Sequence, residues 1–194
     1  MTLRGIDMNF IGTQTIETSR FILRKVNLSD AEDMFQNWAS DENVARYVTW
    51  LAHKDISTTI KVIEAWINKH ENEVFFGWCI EWKENAQVIG TIDVATLKQD
   101  IETAEIGYCL SQKYWGKGIM TEALIAVANF LFSEVGVNRI EAKHHLKNPA
   151  SGKVMIKSGM QFEGIQRQAT KDNMGNYCDL ATYAILKSDW EKKK

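Results

Sequence analysis

Two glycines separated by one residue mark the part of the sequence best suited to bind a phosphate group. Gly116 and Gly118 follow a half-apolar, strand-like stretch that ends at Leu110, and an apolar pattern with helical spacing begins at Ile119. Glycines let backbone N–H groups approach a ligand closely, and the N-terminus of a helix favours an anion. The stretch is neither a Walker loop, which ends in Gly-Lys-Ser/Thr, nor a dinucleotide loop, which needs a third glycine where Thr121 stands.

Four stretches, in the same order along the chain, resemble the GNAT acyl-CoA N-acyltransferases. The pyrophosphate loop of that family reads Gln/Arg-x-x-Gly-x-Gly/Ala, and Lys113 to Gly118 matches it except for the lysine at the first position. More narrowly, the similarity is to the RimJ/RimL-type branch, which acetylates protein N-termini and some small amines. The stretches are E-T-S-R-F-I-L-R from Glu17, A-E-I-G-Y from Ala104, W-G-K-G-I-M-T-E-A from Trp115 and N-P-A-S from Asn148.

The apolar periods along the chain predict a mixed domain of the α/β (α+β) class. One strand precedes three helices, three strands follow, and a helix, a strand, a helix and two strands complete the order. The resemblance implies the GNAT fold, a mixed and largely antiparallel seven-stranded sheet with helices on both faces and a splay between strands four and five. We expect a single domain at 16–190, an N-terminal arm at 1–15 and a basic tail at 191–194.

These elements must position the glycine loop and its neighbours. The longest early helix is predicted from isoleucines that recur at helical spacing between Ile56 and Ile67. A later helix is predicted to begin at Pro149, where the missing N–H of proline costs nothing. The predicted strands cover 20–26, 74–82, 87–97, 103–110, 139–146, 160–170 and 177–187.

Acetyl transfer to an amine needs a neutral amine, a stabilised oxyanion and a thiolate that can leave. The splay implied by the resemblance leaves backbone N–H groups without a partner strand, so Cys109 and Leu110 are the predicted oxyanion donors. Glu105 shares a strand face with Cys109 and is the predicted base, with a solvated strand glutamate as the alternative. The Cys109 thiol is the less favoured nucleophile, because no activating base is evident beside a strand cysteine.

The resemblance also implies residues that bind acetyl-CoA. The usual proton donor of the family to the leaving thiolate is a tyrosine, and Met155 stands at that position. Ser151 is predicted to contact CoA or to protonate the thiolate, and Asn148 to bind the cofactor, to cap a helix, or both. The predicted acetyl-CoA-binding residues are Tyr108, Cys109, Leu110, Lys113, Trp115, Gly116, Lys117, Gly118, Ile119, Met120, Thr121, Asn148, Ser151 and Lys153.

An acceptor pocket is predicted between the early helices and the last hairpin. Members of the branch sometimes use a further glutamate before the last strand, but 170–172 here reads Thr-Lys-Asp, which weakens any transfer of ribosomal-protein specificity. Tryptophans belong mostly to cores, so their place in a pocket competes with a packing role. The predicted lining residues are Trp50, His53, Trp78, Asn173 and Tyr177.

The bulk composition excludes several classes of function. A net charge of −2 argues against nucleic acid as a main partner, and the longest apolar run, 123–132, is too short to span a bilayer. Three widely spaced cysteines predict neither a disulfide framework nor a zinc site, and the adjacent His144 and His145 point to opposite strand faces. We therefore expect a cytoplasmic protein without a metal.

The function predicted from these features is acetyl-CoA-dependent N-acetylation by direct attack in a ternary complex. The favoured acceptor is the α-amino group of a protein or peptide, and the alternative is a small amine such as a polyamine or an antibiotic. From another class, a non-catalytic acyl-CoA-binding sensor also fits, since the usual tyrosine is missing. The chain is predicted to be a monomer or a homodimer.

Overall fold

The computed structural model describes residues 8–192, which form an eight-stranded sheet with helices on both faces. The strands are β1 (Ile16–Glu17), β2 (Phe21–Arg24), β3 (Gly77–Trp82), β4 (Val88–Lys98), β5 (Thr103–Leu110), β6 (Arg139–His145), β7 (Gln161–Lys171) and β8 (Tyr177–Leu186). The α-helices are α1 (Ala31–Met34), α2 (Glu42–Ala45), α3 (Ile56–Lys69), α4 (Ile119–Phe130), α5 (Pro149–Lys157) and α6 (Lys187–Glu191). The predicted α/β (α+β) class is confirmed.

The strands lie in the order β1-β2-β3-β4-β5-β6-β8-β7, and every neighbouring pair is antiparallel except β5 and β6. Those two strands pair in parallel only from Thr103↔Arg139 to Ile106↔Ala142. The rest of β5 therefore separates from β6 and leaves a gap in the middle of the sheet. This gap is the splay predicted between the fourth and fifth strands.

The prediction of seven strands was wrong by one. Ile16 and Glu17 form the extra strand, β1, by pairing with Leu23 and Ile22 of β2. Two residues are too few to show an alternating pattern, which explains why the sequence does not reveal them.

The described part of the predicted N-terminal arm is docked on the domain. Met8 is buried, the Asn9 N–H donates to the Val135 carbonyl (2.8 Å), and the Gly12 N–H donates to the Glu73 carbonyl (2.8 Å). Residues 1–7 of the arm and 193–194 of the basic tail lie outside the described residues.

Alternate side chains of the sheet enter two separate cores. Trp78 of β3 packs on the face covered by α4, where Leu124 and Val127 are buried, and we call this the α4 face. The next residue, Cys79, packs on the opposite face with Ile63 of α3, and we call this the α3 face. The two faces meet at the β5–β6 gap, so a ligand in the gap can contact both.

None of the helices formed by residues 8–192 is long and apolar enough to cross a bilayer. Within the same residues, no three His, Cys, Asp or Glu side chains are grouped so that they could hold a metal ion. Cys79, Cys109 and Cys178 are free thiols.

Candidate active site

The glycine loop brings the N-terminus of α4 to the end of β5. Gly116 (φ 75°) and Gly118 (φ 74°) adopt left-handed conformations that side chains rarely tolerate. Trp115 Nε1 donates to the Leu110 carbonyl (2.8 Å) and ties the loop to β5. Gly118 is the N-cap of α4 and offers no side-chain cap, so the first N–H groups of the helix from Ile119 onward can bind an anion.

Arg20, which sequence reasoning did not identify, lies directly before β2 and contacts the glycine loop. Its Nη1 donates to the Lys117 carbonyl (2.9 Å), and its Nε donates to Glu122 Oε2 (2.7 Å) in the first turn of α4. This ion pair neutralises the Glu122 carboxylate, whose negative charge would otherwise repel a bound anion. Among the predicted lysines, Lys113 and Lys153 are exposed, and Lys117 Nζ lies 5.2 Å from the centroid of the Tyr114 ring.

Backbone groups along β5 point alternately toward β4 and toward the gap. The Ser111 N–H donates to the Ile89 carbonyl (2.8 Å), so the register Thr91↔Cys109 makes Cys109 a hydrogen-bonded position of the same ladder. The intervening residue, Leu110, therefore turns its N–H toward the gap. Of the two predicted oxyanion donors, Leu110 has the required orientation and Cys109 does not.

Two hydroxyl groups meet across the gap. The Tyr108 hydroxyl donates to the Ser151 carbonyl (3.1 Å) and lies 2.8 Å from Ser151 Oγ, and burial raises the pKa of Tyr108. Asn148 caps α5 by accepting from the Ser151 N–H, as predicted. Met155, at the position of the usual tyrosine, is buried in the core of the α4 face, so Ser151 and Tyr108 are the hydroxyl groups that the described residues bring to this point.

The close approach of α5 to β6 depends on Gly152. A methyl group at this position would lie 2.6 Å from His144 Nε2, and the imidazole is fixed because its Nδ1 donates to the His145 carbonyl (2.8 Å). We expect Gly152→Ala to lower the free energy of unfolding by about 1–3 kcal/mol, as overpacking does. Urea denaturation measures this loss, and an unchanged midpoint would show that the helix can move away without cost.

A cavity of about 610 Å³ opens on the α3 face beside the gap. Its floor is a row of side chains and glycine from β4 and β5, namely Thr91, Asp93, Glu105, Gly107 and Cys109. Aromatic and apolar side chains form its walls, including Trp38, Trp50, Ile63 and Trp66. Tyr108, Asn148 and Ser151 line the end that adjoins the gap. The cavity thus connects the predicted acyl-CoA side with an aromatic compartment.

Asp93 is a cavity residue that sequence reasoning missed. It pairs across the sheet with Gly107, and a methyl group on that glycine would lie 3.4 Å from Asp93 Oδ1. Burial raises the pKa of Asp93 to about 6, although the positive charge of Lys69 opposes the shift. The signal was a single acid in the otherwise apolar and small run V-I-G-T-I-D-V-A-T-L.

Glu105, the predicted base, lies on the cavity floor but is already paired. Its Oε2 accepts from Lys143 Nζ at 2.7 Å, so the carboxylate and the ammonium compensate each other. Cys109 places its thiol 3.2 Å from Thr91 Oγ1, and burial raises the pKa of the thiol to about 11. A thiol with this pKa stays protonated at neutral pH, which disfavours Cys109 as a nucleophile.

Only some of the residues predicted for the acceptor pocket line the cavity. Trp50 and His53 line the cavity, and burial lowers the pKa of His53, whose Nδ1 is 2.8 Å from Thr59 Oγ1. The prediction for Trp78 was wrong, because its side chain is fully buried in the core of the α4 face. Tyr177 also lies outside the cavity lining and is 65% exposed.

Asn173 contributes to the pocket indirectly. Its Nδ2 donates to the carbonyl groups of Ala45 (2.9 Å) and Trp50 (3.2 Å) and so ties the β7–β8 turn to the segment that carries Trp50. Asn173 is therefore a residue that positions the wall of the cavity.

Comparisons with known proteins identify the family of the chain. Residues 20–161 match the model of the acetyltransferase (GNAT) domain family. The chain is 34% identical over 172 residues to the uncharacterized N-acetyltransferase YoaA of Bacillus subtilis (strain 168), covering 89% of this chain and 96% of that protein. It is 33% identical over 100 residues to the ribosomal-protein-serine acetyltransferase of Escherichia coli (strain K12), covering 52% of this chain and 55% of that protein.

A solved structure shares the fold. The microcin C7 self immunity acetyltransferase MccE, in complex with acetyl-CoA and AMP, superposes with a TM-score of 0.79 at 24% identity and covers 87% of this chain and 93% of that one. The uncapped N-terminus of α4, the left-handed glycines and the gap beside β5 fit the requirements of acetyl-CoA. From its fold, its site and these similarities, the chain belongs to the GNAT acetyltransferase family and is an enzyme that uses acetyl-CoA.

Proposed function

We propose that the chain transfers the acetyl group of acetyl-CoA directly to a primary amine, without an acetylated enzyme. The observation that carries this proposal is a cavity whose floor presents carboxylates to the β5–β6 gap, while the thiol beside them is held protonated. Acetyl-CoA supplies an activated thioester, and the nitrogen of the amine forms the new C–N bond as the C–S bond breaks.

Different residues beside the gap would bind the cofactor, stabilise the oxyanion and transfer protons. The N–H groups at the start of α4 would hold the pyrophosphate, and the Leu110 N–H faces the gap, where negative charge on the acetyl oxygen needs a donor. A carboxylate of the cavity floor would take the proton of the amine. The Ser151 hydroxyl, 2.8 Å from the Tyr108 hydroxyl, would either contact CoA or give its proton to the thiolate.

The favoured acceptor is an α-amino group of a protein or peptide, and the alternative is a small amine such as a polyamine or an antibiotic. An α-amine has a pKa of about 7.7–8.0, against about 10.4 for a lysine side chain, so a weak base suffices to neutralise it. The name of the Escherichia coli relative, a ribosomal-protein-serine acetyltransferase, supports a protein acceptor, but only half of the chain is aligned with it.

The experiment that tests this function measures the release of free CoA from acetyl-CoA, with identification of the acetylated product by mass. The panel contains peptides with N-terminal Ser, Ala and Phe, free lysine, polyamines and aminoglycosides. Turnover that is restricted to one class of amine would support the proposal and name the acceptor. Saturable binding of acetyl-CoA without turnover of any amine would contradict it and support the sensor.

A cytoplasmic location and a monomeric or homodimeric state complete the proposal. The three free thiols support a reducing compartment, because such compartments keep cysteines unpaired.

A further inference from the structure

Asp93 occupies an unusual place in the sheet, because glycines stand beside it on both neighbouring strands. It pairs with Gly77 of β3 and with Gly107 of β5. The space over Gly77 is filled by aromatic rings, since a methyl group there would lie 2.6 Å from Phe75 and 3.1 Å from Trp66. The space over Gly107 is open except for Asp93 Oδ1 at 3.4 Å and the Ala95 methyl at 3.8 Å. The carboxylate therefore lies toward the gap.

This carboxylate has no protein partner for its charge. No hydrogen bond to its side chain occurs within residues 8–192, whereas Glu105 on the same floor is paired with Lys143 at 2.7 Å. Asp93 interacts electrostatically with the buried thiol of Cys109 from β5 and with Lys69 from α3. The other titratable side chains on the same cavity lining are Glu105 and Tyr108 from β5, Lys143, His144 and His145 from β6, and Tyr47 and His53 from the segment between α2 and α3. Asp93 is half-buried on the cavity lining, and a carboxylate that is partly shielded from water without a partner gains a charge-assisted hydrogen bond from a cationic ligand that contacts it.

Large aromatic side chains line the same cavity as the carboxylate. Trp66 covers Gly77, the immediate cross-strand neighbour of Asp93, and Trp50 lines the same cavity. Both indoles are half-buried, so part of each ring faces the cavity. Apolar walls around a single convergent charge are typical of sites that bind a ligand with an apolar body and one polar group.

We infer that Asp93 holds the amine of the acceptor and takes its proton, and that this acceptor is an α-amine with a large apolar or aromatic side chain that packs against Trp50 and Trp66. The inference rests on the proposed function and names the substrate class for the same site. The ammonium gives one N–H proton to Asp93 Oδ1 or Oδ2, and the freed lone pair forms the C–N bond to the acetyl carbon. The C–S electrons leave with the sulfur, and a second N–H proton passes to that thiolate, so the products are the neutral amide, CoA as its free thiol and protonated Asp93, which returns its proton to solvent.

The protonation chemistry of Asp93 fits an α-amine better than an alkylamine. Burial raises the pKa of Asp93 to about 6, which brings it to within about two units of an α-amine but leaves it more than four units below a lysine side chain. Proton transfer from an α-amine to Asp93 is therefore much less uphill. The same group is ionised at neutral pH and can accept the proton.

Binding tests the inference without any turnover. The probes are phenylalaninamide, alaninamide and 3-phenylpropanamide, which lacks the amine, each titrated calorimetrically into the protein loaded with CoA. We expect phenylalaninamide to bind at least tenfold more tightly than alaninamide. Asp93→Asn should weaken phenylalaninamide at least tenfold and leave 3-phenylpropanamide unchanged. Equal binding of phenylalaninamide by both proteins, or of both amines by the wild type, would overturn the inference.

Turnover supplies an independent measurement. With phenylalaninamide as acceptor, Asp93→Asn should lower kcat/KM by about a hundredfold or more, the usual contribution of a general base, while the Kd of acetyl-CoA stays the same. The kcat/KM of the wild type should rise with pH through about 6, because the base acts in its ionised form, and this limb should be absent from the variant. A variant with wild-type kcat/KM and the same limb would contradict the role of Asp93.

The melting temperature of Asp93→Asn shows whether this variant is correctly folded. Because folding raises the pKa of Asp93, the ionised carboxylate destabilises the fold above about pH 6, so Asp93→Asn should melt no lower than the wild type at pH 8. The two proposals fail separately. Asp93-dependent binding of phenylalaninamide without CoA release would contradict the proposed acetyl transfer to this amine and keep the amine site. CoA release that is unchanged in Asp93→Asn would contradict the role of Asp93 and keep the proposed transfer.

Discussion

Gly118→Val is expected to weaken the binding of acetyl-CoA by about 30- to 100-fold. Gly118 has a φ of 74° and stands immediately before α4. A β-branched residue is strained there by about 1–3 kcal/mol, and its side chain would also cover the N–H groups that are to contact the pyrophosphate. Strain that the loop relieves in the free protein has to be restored when acetyl-CoA binds, so, with about 1.4 kcal/mol for each tenfold change, strain and lost contacts together give the expected range. Isothermal titration of acetyl-CoA measures the Kd directly.

Gly175→Val is the matched control for this experiment. Gly175 also has a positive φ, 84°, and nothing lies within 4 Å of the position that its Cβ would take, but it belongs to the β7–β8 turn. We expect this variant to lose a similar amount of stability in urea denaturation and to keep the wild-type Kd. Wild-type affinity in Gly118→Val would show that the loop does not hold the cofactor. An equal loss in both variants would attribute the effect to general destabilisation.

The largest loss of stability is expected from Trp78→Ala, at about 3–5 kcal/mol. The Trp78 ring is fully buried against Phe76 (ring centroids 6.4 Å apart) and Phe130 (5.7 Å), and its Nε1 donates to the Gln14 carbonyl (2.7 Å). Truncation leaves a cavity and also an unpaired carbonyl. For a domain of this size each kcal/mol lowers Tm by about 2–4 °C, so we expect Tm to fall by roughly 10 °C or more.

Trp50→Ala separates the core tryptophan from a cavity tryptophan. Trp50 is half-buried, and its carbonyl, which accepts from Asn173, is kept in the variant. We expect a Tm within a few degrees of the wild type and a weaker binding of phenylalaninamide by about tenfold or more, as for the removal of an aromatic contact in a well-packed pocket. If Trp50→Ala melted as early as Trp78→Ala, Trp50 would be a structural residue rather than part of an acceptor wall.

Strongly periodic elements of the fold could be predicted from the sequence. The half-apolar strand Thr103–Leu110 follows a polar turn and ends before the glycine loop, and its predicted bounds agree with β5. The isoleucines between Ile56 and Ile67 predicted α3, which begins after Asp55, whose side chain accepts from the Ser57 N–H (3.0 Å). β1 could not be predicted, because a two-residue strand exists only through its pairing with β2.

The parts of the site that could not be predicted depend on contacts between distant segments. Arg20 and Glu122 form an ion pair although they are 102 residues apart, and the sequence around neither residue predicts this contact. Asp93 lies in a largely apolar strand, and the cavity that it lines exists only because Ile63 and Trp66 of α3, distant in the chain, pack over this face. The same limit applies to Trp78 and Trp50, because their residue type does not tell which face of the sheet each one joins.

The gap between β5 and β6 can also be described as a sheet edge that lies inside the molecule. On the rim of a protein, a row of unpaired backbone donors and acceptors is a template for aggregation, which natural sheets blunt with short strands, bulges or charges. Here, the Leu110 N–H belongs to such a row, and α5 and the glycine loop enclose it. Enclosure admits a slender ligand and excludes another chain, so a feature that is hazardous at the surface becomes a means of selective recognition in the interior.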